Sequence, residues 1–234
     1  MEVFPSNEAL VDPTQLVTSS VNYSTAYSTQ RKLVSYGGYY FLFFYSASGA
    51  QNKILYKTSI DQVTWTLSNW VATGPIGYNF DLYQSGSTIA LAWLNYNSGA
   101  GGDGTTTLYF RTGTIFAGDI SWTDQTTVAT WTQPYSWPPS VAVGTDGTFW
   151  AAGIWQDASA KYNIWIYKST DGTTFTPSTN YLTSNSGSTR NEALQLVPLP
   201  QGKLMALSSH YSDTSVRWRI WNPLSPTGPN WSSV

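Results

Sequence analysis

Four glycines, Gly38, Gly86, Gly147 and Gly202, each precede a run of apolar and aromatic residues. The runs are Tyr39–Tyr45, Thr88–Trp93, Thr148–Trp155 and Lys203–Leu207. Their near-continuous apolarity, bounded by turn residues, predicts short strands covered on both faces rather than amphipathic helices. Upstream of each glycine stands a second short run: Lys32–Ser35, Phe80–Tyr83, Ser140–Val143 and Ala193–Val197. Each pair therefore reads as a hairpin, an inner strand A before the glycine and a strand B after it, followed by a polar loop and strands C and D.

The period of this pattern decides the architecture. Tyr56, Phe110, Tyr167 and Trp221 recur at intervals of 54, 57 and 54 residues, and Trp65, Trp122, Phe175 and Trp231 at 57, 53 and 56. A unit of about 55 residues with four short strands is the signature of a β-propeller blade. A β-sandwich also repeats short strands, but it does not predict recurrent aromatic positions. The fold class expected is all-β, a β-propeller of about four four-stranded blades, approximately 28–76, 77–135, 136–185 and 186–234, forming one domain over 28–234. Residues 1–27 form an N-terminal segment. Within it, Gln15–Ser19 is similar to Asn180–Ser184, and the last blade reaches Trp231 where its strand D is due. The expectation is that the N-terminal strand completes that blade, closing the ring and removing sheet edges that invite aggregation.

Composition narrows the chemistry. The 234 residues include 16% aromatic and only 10% charged side chains, with a formal net charge of −2. Such a chain has no basic field for nucleic acid or an anionic membrane. Its longest apolar run, Tyr39–Tyr45, is far short of the roughly 20 residues that span a bilayer, so membrane insertion is not expected. The absence of cysteine and the single histidine, His210, remove disulfides, thiol chemistry and Cys- or His-cluster metal sites. No metal or cofactor is predicted. The glycine-rich stretch Asn95–Gly104 has one carboxylate, too few oxygen ligands for a calcium loop. The N-terminus lacks the basic start and apolar stretch of a secretory signal, whereas the Ser, Thr, Asn and aromatic richness points to an extracellular or virion-associated setting.

After strand C, two blades carry Ser59-Ile60-Asp61-Gln62-Val63-Thr64-Trp65 and Ser169-Thr170-Asp171-Gly172-Thr173-Thr174-Phe175. Ser and Asp in such a turn bond its amides, which makes Ser59, Asp61, Ser169 and Asp171 turn anchors, while Trp65 and Phe175 are placed to pack between blades. Gly118–Trp122 reads as a degenerate copy, and Asn222–Pro226 replaces the motif in the last blade. These sequences resemble the Asp-box (BNR) repeats of the sialidase superfamily. The resemblance extends to Arg190-Asn191-Glu192 and to Pro200-Gln201-Gly202-Lys203-Leu204-Met205. It implies a propeller fold and glycoside chemistry, in which a glutamate polarises a tyrosine nucleophile, an aspartate is acid/base and three arginines clamp the sialic acid carboxylate. Glu192 matches that glutamate. The matching arginine position falls near Ser208, Ser209 or His210, where this chain has none, and sialidase catalytic propellers have six blades.

Serine cannot replace a bidentate arginine, so the expectation leans from catalysis to recognition of a glycan or a protein surface. Glycoside hydrolysis and a purely structural assembly role stand as alternatives. On such a propeller the D–A and B–C loops face the ligand, and the C–D turns lie at the opposite end. Aromatic rings beside Asn, Asp and Arg suit sugars, which offer an apolar CH face and a rim of hydroxyls. The ligand-binding candidates are Arg31, Tyr78, Asp81, Trp137, Trp155, Arg190, Glu192 and Tyr211, with Glu192 the one catalytic candidate.

Overall fold

The computed structural model describes residues 31–46, 52–66, 69–74, 76–97, 104–132, 136–156, 162–178, 191–210, 216–224 and 230–232. Among them there is no helix, and seventeen strands form four antiparallel sheets. The first sheet is β1 (Leu33–Tyr36), β2 (Tyr39–Ser46), β3 (Asn52–Ser59) and β4 (Asn69–Gly74), in that order. The second is β5 (Ile76–Ser85), β6 (Thr88–Asn97), β7 (Thr105–Phe116) and β8 (Asp119–Trp122), with β9 (Thr126–Trp131) also paired to β7. The third is β10 (Ser136–Val143), β11 (Phe149–Gln156), β12 (Tyr162–Ser169) and β13 (Thr176–Pro177). The fourth is β14 (Asn191–Pro198), β15 (Leu204–His210), β16 (Val216–Asn222) and β17 (Asn230–Trp231). Four sequential up-and-down sheets of this kind are the blades of a four-bladed β-propeller.

The turn glycines have the role their spacing predicts. Gly38, Gly86, Gly147 and Gly202 take φ of 84°, 59°, 83° and 69°, a left-handed backbone that closes the hairpin between strands A and B. Three apolar clusters fill the spaces between consecutive blades. Phe41, Phe43, Ile54 and Tyr56 meet Phe80, Leu82, Leu91 and Trp93 between the first two. Ala92, Leu108 and Phe110 meet Val141, Ala151 and Tyr167 between the second and third. Ala152, Ile154 and Ile166 meet Leu196, Leu204, Trp221 and Trp231 between the third and fourth. β6 and β11, the strands B of the second and third blades, are apolar on both faces because each serves two interfaces at once. Burying one such side chain contributes about 1.5–3 kcal/mol, so these clusters are the main cohesive force between blades.

The structure corrects three expectations. Tyr56, Phe110, Tyr167 and Trp221 are not equivalent: Tyr56 and Phe110 face the following blade, whereas Tyr167 and Trp221 face the preceding one. Side chains alternate along a strand, so a one-residue difference in register reverses the face while leaving the spacing almost unchanged. Gly118–Trp122 is not a degenerate turn motif. The long β7 overshoots and folds back through Ala117 and Gly118 into β8, whose Ile120 joins Ile115 in the first interblade cluster. Trp231 lies in strand D, paired with Trp221 as Pro177 is with Tyr167, and does not match Phe175. In the last blade β17 pairs with Trp221 and Asn222 of β16. The N-terminal stretch Gln15–Ser19 lies outside the described residues. Among those residues, no apolar cluster joins the fourth blade to the first.

The two Ser-x-Asp turns fold identically. Ser59 Oγ accepts from the amides of Asp61 and Gln62 and donates to Asp61 Oδ1, which in turn accepts from Val63 and Thr64 at 2.8 and 2.7 Å. Ser169 and Asp171 repeat every bond with Gly172, Thr173 and Thr174. The amides of Thr64 and Val63, with Ser59, pull the Asp61 carboxyl down to about 2, and the amides of Thr174 and Thr173, with Ser169, hold Asp171 well below the usual range. Phe175 packs on the second blade, its ring 4.8 Å from that of Phe110. Trp65, in the first blade, is only half-buried.

Two tests follow from these turns. Gln62 adopts φ of 62° where the third blade has Gly172 at 74°. Gln62→Gly should raise stability by up to about 1 kcal/mol, and Gly172→Ala should lower it by about as much, read as opposite shifts in the urea midpoint. Both carboxyls bind protons less tightly folded than unfolded. Their stabilisation is therefore complete above about pH 4 and is lost as pH falls through the folded values, near 2 for Asp61. An Asp61→Asn, Asp171→Asn double variant should show a flatter acid limb in stability against pH.

Candidate functional site

The inner strands converge on one carboxylate. Asp81, on β5, is fully buried. Its Oδ1 accepts from the Arg31 backbone amide at 3.0 Å and from Arg31 Nε at 3.4 Å. Its Oδ2 accepts from Arg31 Nη2 at 2.8 Å, from Val141 N at 3.0 Å and from Ser140 Oγ at 3.2 Å. Arg31 Nη2 also donates to the Val141 carbonyl, and Ser140 Oγ accepts from Leu196 N at 2.9 Å. One chain of charge-assisted bonds thus runs from the segment before β1 through β5 and β10 to β14, tying all four blades. Beside it, Lys32 Nζ donates to the Phe80 carbonyl at 3.0 Å. Burial pushes this amine down to about 6, against the opposing pull of Asp81.

Arg31 and Asp81, both ligand candidates from sequence, are therefore brought together, but their hydrogen-bonding capacity is directed at each other and at the third blade. Trp137 stands at the start of β10, half-buried and packed against the cluster between the third and fourth blades. Glu192 is the bulged residue of β14, where register shifts between Asn191 and Ala193. Tyr78 and Trp155 lie within β5 and β11. Arg190 and Tyr211, and the loop stretches 47–51, 98–103, 157–161 and 211–215, lie outside the described residues. The described aspartates other than Asp81 sit at the turn end: Asp61 and Asp171 in C–D turns, Asp119 and Asp124 flanking β8, and Asp146 in the β10–β11 turn. Asp119 accepts from the Tyr56 hydroxyl, tying the first blade to the second. Arg111 is also engaged, donating to the carbonyls of Val71 and Thr123. Among the described residues no group of acidic or histidine side chains could hold a metal.

The end of the second blade opposite the turns carries two buried amides that are not among the ligand-binding candidates drawn from the sequence. The amide oxygens of Asn79 and Asn95 are buried without a partner. Asn79 lies in the irregular stretch of β5 between Ile76 and Phe80, and Asn95 follows Trp93 on the same side of β6. Trp93 stacks on Tyr109 with centroids 5.5 Å apart. A buried amide oxygen without a donor costs about 1–3 kcal/mol, so each is a point where a water or a ligand donor would be favourable. Their place at the loop end follows from the sequence, but their burial without a partner is a property of the tertiary structure.

Comparison with solved structures decides the fold. A Dyadobacter fermentans protein of unknown function superposes with a TM-score of 0.56 at 14% identity, over 86% of this chain and 67% of that one. Trypanosoma rangeli sialidase in complex with the inhibitor DANA gives 0.55 at 14% identity, over 86% and 37%. The Hadza microbial sialidase Hz136 gives 0.51 at 16% identity, over 86% and 45%. The chain has a sialidase-like propeller fold. It spans less than half the length of either sialidase. No family model and no curated protein sequence matches it.

The Asp81 network of this sialidase-like propeller can be tested by deletion. Asp81→Ala strands Arg31, Ser140 and Val141 N together and should destabilise by about 3–5 kcal/mol. Ser140→Ala removes only the relay to Leu196 and the Ser140 donor and should cost about 1–3 kcal/mol. Chemical denaturation should rank the two variants in that order.

Proposed function

We propose that this chain is a non-catalytic recognition module that binds a glycan at the end of the propeller opposite the C–D turns. The observation that carries this reading is the pair of buried, partnerless amide oxygens of Asn79 and Asn95 beside the Trp93–Tyr109 stack. A sugar supplies what they lack, hydroxyl donors. The neighbours named as sialidases support glycan chemistry on this fold. The binding reading over catalysis draws support from Arg31 and Arg111, which are both committed to interblade contacts.

A second reading, exo-glycoside hydrolysis of the sialidase type, is favoured by one feature. Glu192 sits at a β-bulge, and bulges commonly re-aim a side chain beside an active site. The Ser-x-Asp turns fit either reading as Asp-box anchors, because they stabilise the far end of the blades and take no part in chemistry.

Glycan-array binding separates these readings. Retention of a glycan should fall about tenfold in Asn79→Ala, with the melting temperature unchanged or raised because an unsatisfied buried group is removed. Turnover of a chromogenic sialoside that disappears in Glu192→Gln would establish hydrolysis instead. Absence of binding to any glycan and of turnover would leave the structural assembly role.

A further inference from the structure

At the turn end of the propeller, between the third and fourth blades, lies a cleft of about 450 Å³. Its walls include Asp146 from the β10–β11 turn, Trp150 from β11, Lys168 from β12, Asp171 from the C–D turn, and Trp221 and Pro223 from the fourth blade. Thr148, Thr170, Thr174 and Thr176 add hydroxyls. This end is opposite the one that carries Asn79 and Asn95.

One observation marks the cleft as more than a surface dent. The indole Nε1 of Trp150, in a side chain 2% exposed, is buried with no hydrogen-bond partner. An indole N–H only donates, so the missing group is an acceptor. Asp146 Oδ1, close by across Gly144, already accepts from Thr148 N at 3.1 Å and retains acceptor capacity. Lys168 Nζ is held 4.8 Å from the centre of the Trp221 ring.

These groups discriminate between ligand classes. A phosphate or carboxylate would satisfy Trp150 but would meet Asp146 and the strongly ionised Asp171. An ammonium or guanidinium would suit the carboxylates but would meet Lys168 and leave the indole unsatisfied. A hydroxyl accepts from Trp150 while donating to a carboxylate, and several on one ring, unlike a single water, can use the threonines and Lys168 as well. The volume lies in the range of small-molecule sites. We propose that the cleft between the third and fourth blades binds a neutral sugar ring, one of its hydroxyls bridging Trp150 Nε1 and Asp146. The site is independent of the glycan reading at the opposite end.

The test follows the Trp150 indole resonance in the ¹⁵N-labelled protein, assigned by its loss in Trp150→Phe. The chain is titrated with D-glucose, D-galactose, D-mannose and L-fucose, and with inorganic phosphate and arginine as charged probes. The expected result is a saturable shift with at least one sugar and a larger effect than either charged probe gives. Asp146→Asn, which keeps an oxygen for Thr148 N, should weaken that binding about tenfold. Asn79→Ala should leave it unchanged, which separates failure here from failure of the site at the other end. No shift with any of the four sugars up to about 100 mM, far above a millimolar dissociation constant, would overturn the proposal. So would an equal or larger shift with phosphate or arginine, or a sugar-induced shift indifferent to Asp146→Asn.

Discussion

The arrangement of the blades depends on where a single buried carboxylate finds its partners. Asp81 is fully enclosed, and an ionised carboxylate in an apolar interior is tolerated only when it is paired and fully hydrogen-bonded. Its donors come from the segment before β1 and from β10, and Ser140 extends the connection to β14. Those strands must therefore lie at fixed heights relative to β5. Apolar packing between blades is non-directional and would accept several offsets, whereas a carboxylate with donors from two neighbouring blades accepts one. The cohesive energy comes from the apolar clusters, and the alignment comes from Asp81.

The same division of labour explains the aromatic content. The first two blades supply their strand C ring from the leading face and the last two from the trailing face, so Tyr56 enters the first described interblade space, Phe110 and Tyr167 share the second, and Trp221 enters the third. The second blade compensates in a further way, with a hairpin whose Ile120 and Trp122 pack towards the first blade. At the outer faces of the described fold, Trp70 on the first sheet and Trp218 on the fourth are exposed. Trp65 stands where Phe175 has the ring of Phe110 to pack on. The repeat unit is conserved in outline and individually adjusted at each interface.

The two ends of the propeller differ in chemistry. The turn end holds most of the described carboxylates, two of them fixed by amides in the Ser-x-Asp turns, and a cleft with an unsatisfied indole donor. The opposite end holds unsatisfied amide acceptors near an aromatic stack. Both features are ordinary consequences of closing β-hairpins around a crowded axis, where side chains at strand ends meet the termini of neighbouring blades.

The sequence determined the strand inventory. Turn glycines, apolar runs and the Ser-x-Asp turns are local features, set by φ preferences and by side chains bonding amides two or three residues away, and local energetics can be read from local sequence. It could not determine which face each aromatic takes, because a shift of one residue reverses the face without disturbing a period of about 55. Nor could it separate the role of Asp81 from that of a ligand-binding aspartate, since both look like an acidic residue in an apolar strand. Only the tertiary structure brought Arg31, Asp81, Ser140 and Leu196 together across intervals of 50 to 60 residues. Burial at that meeting point made pairing obligatory, and this is the physical reason the carboxylate is a tie between blades.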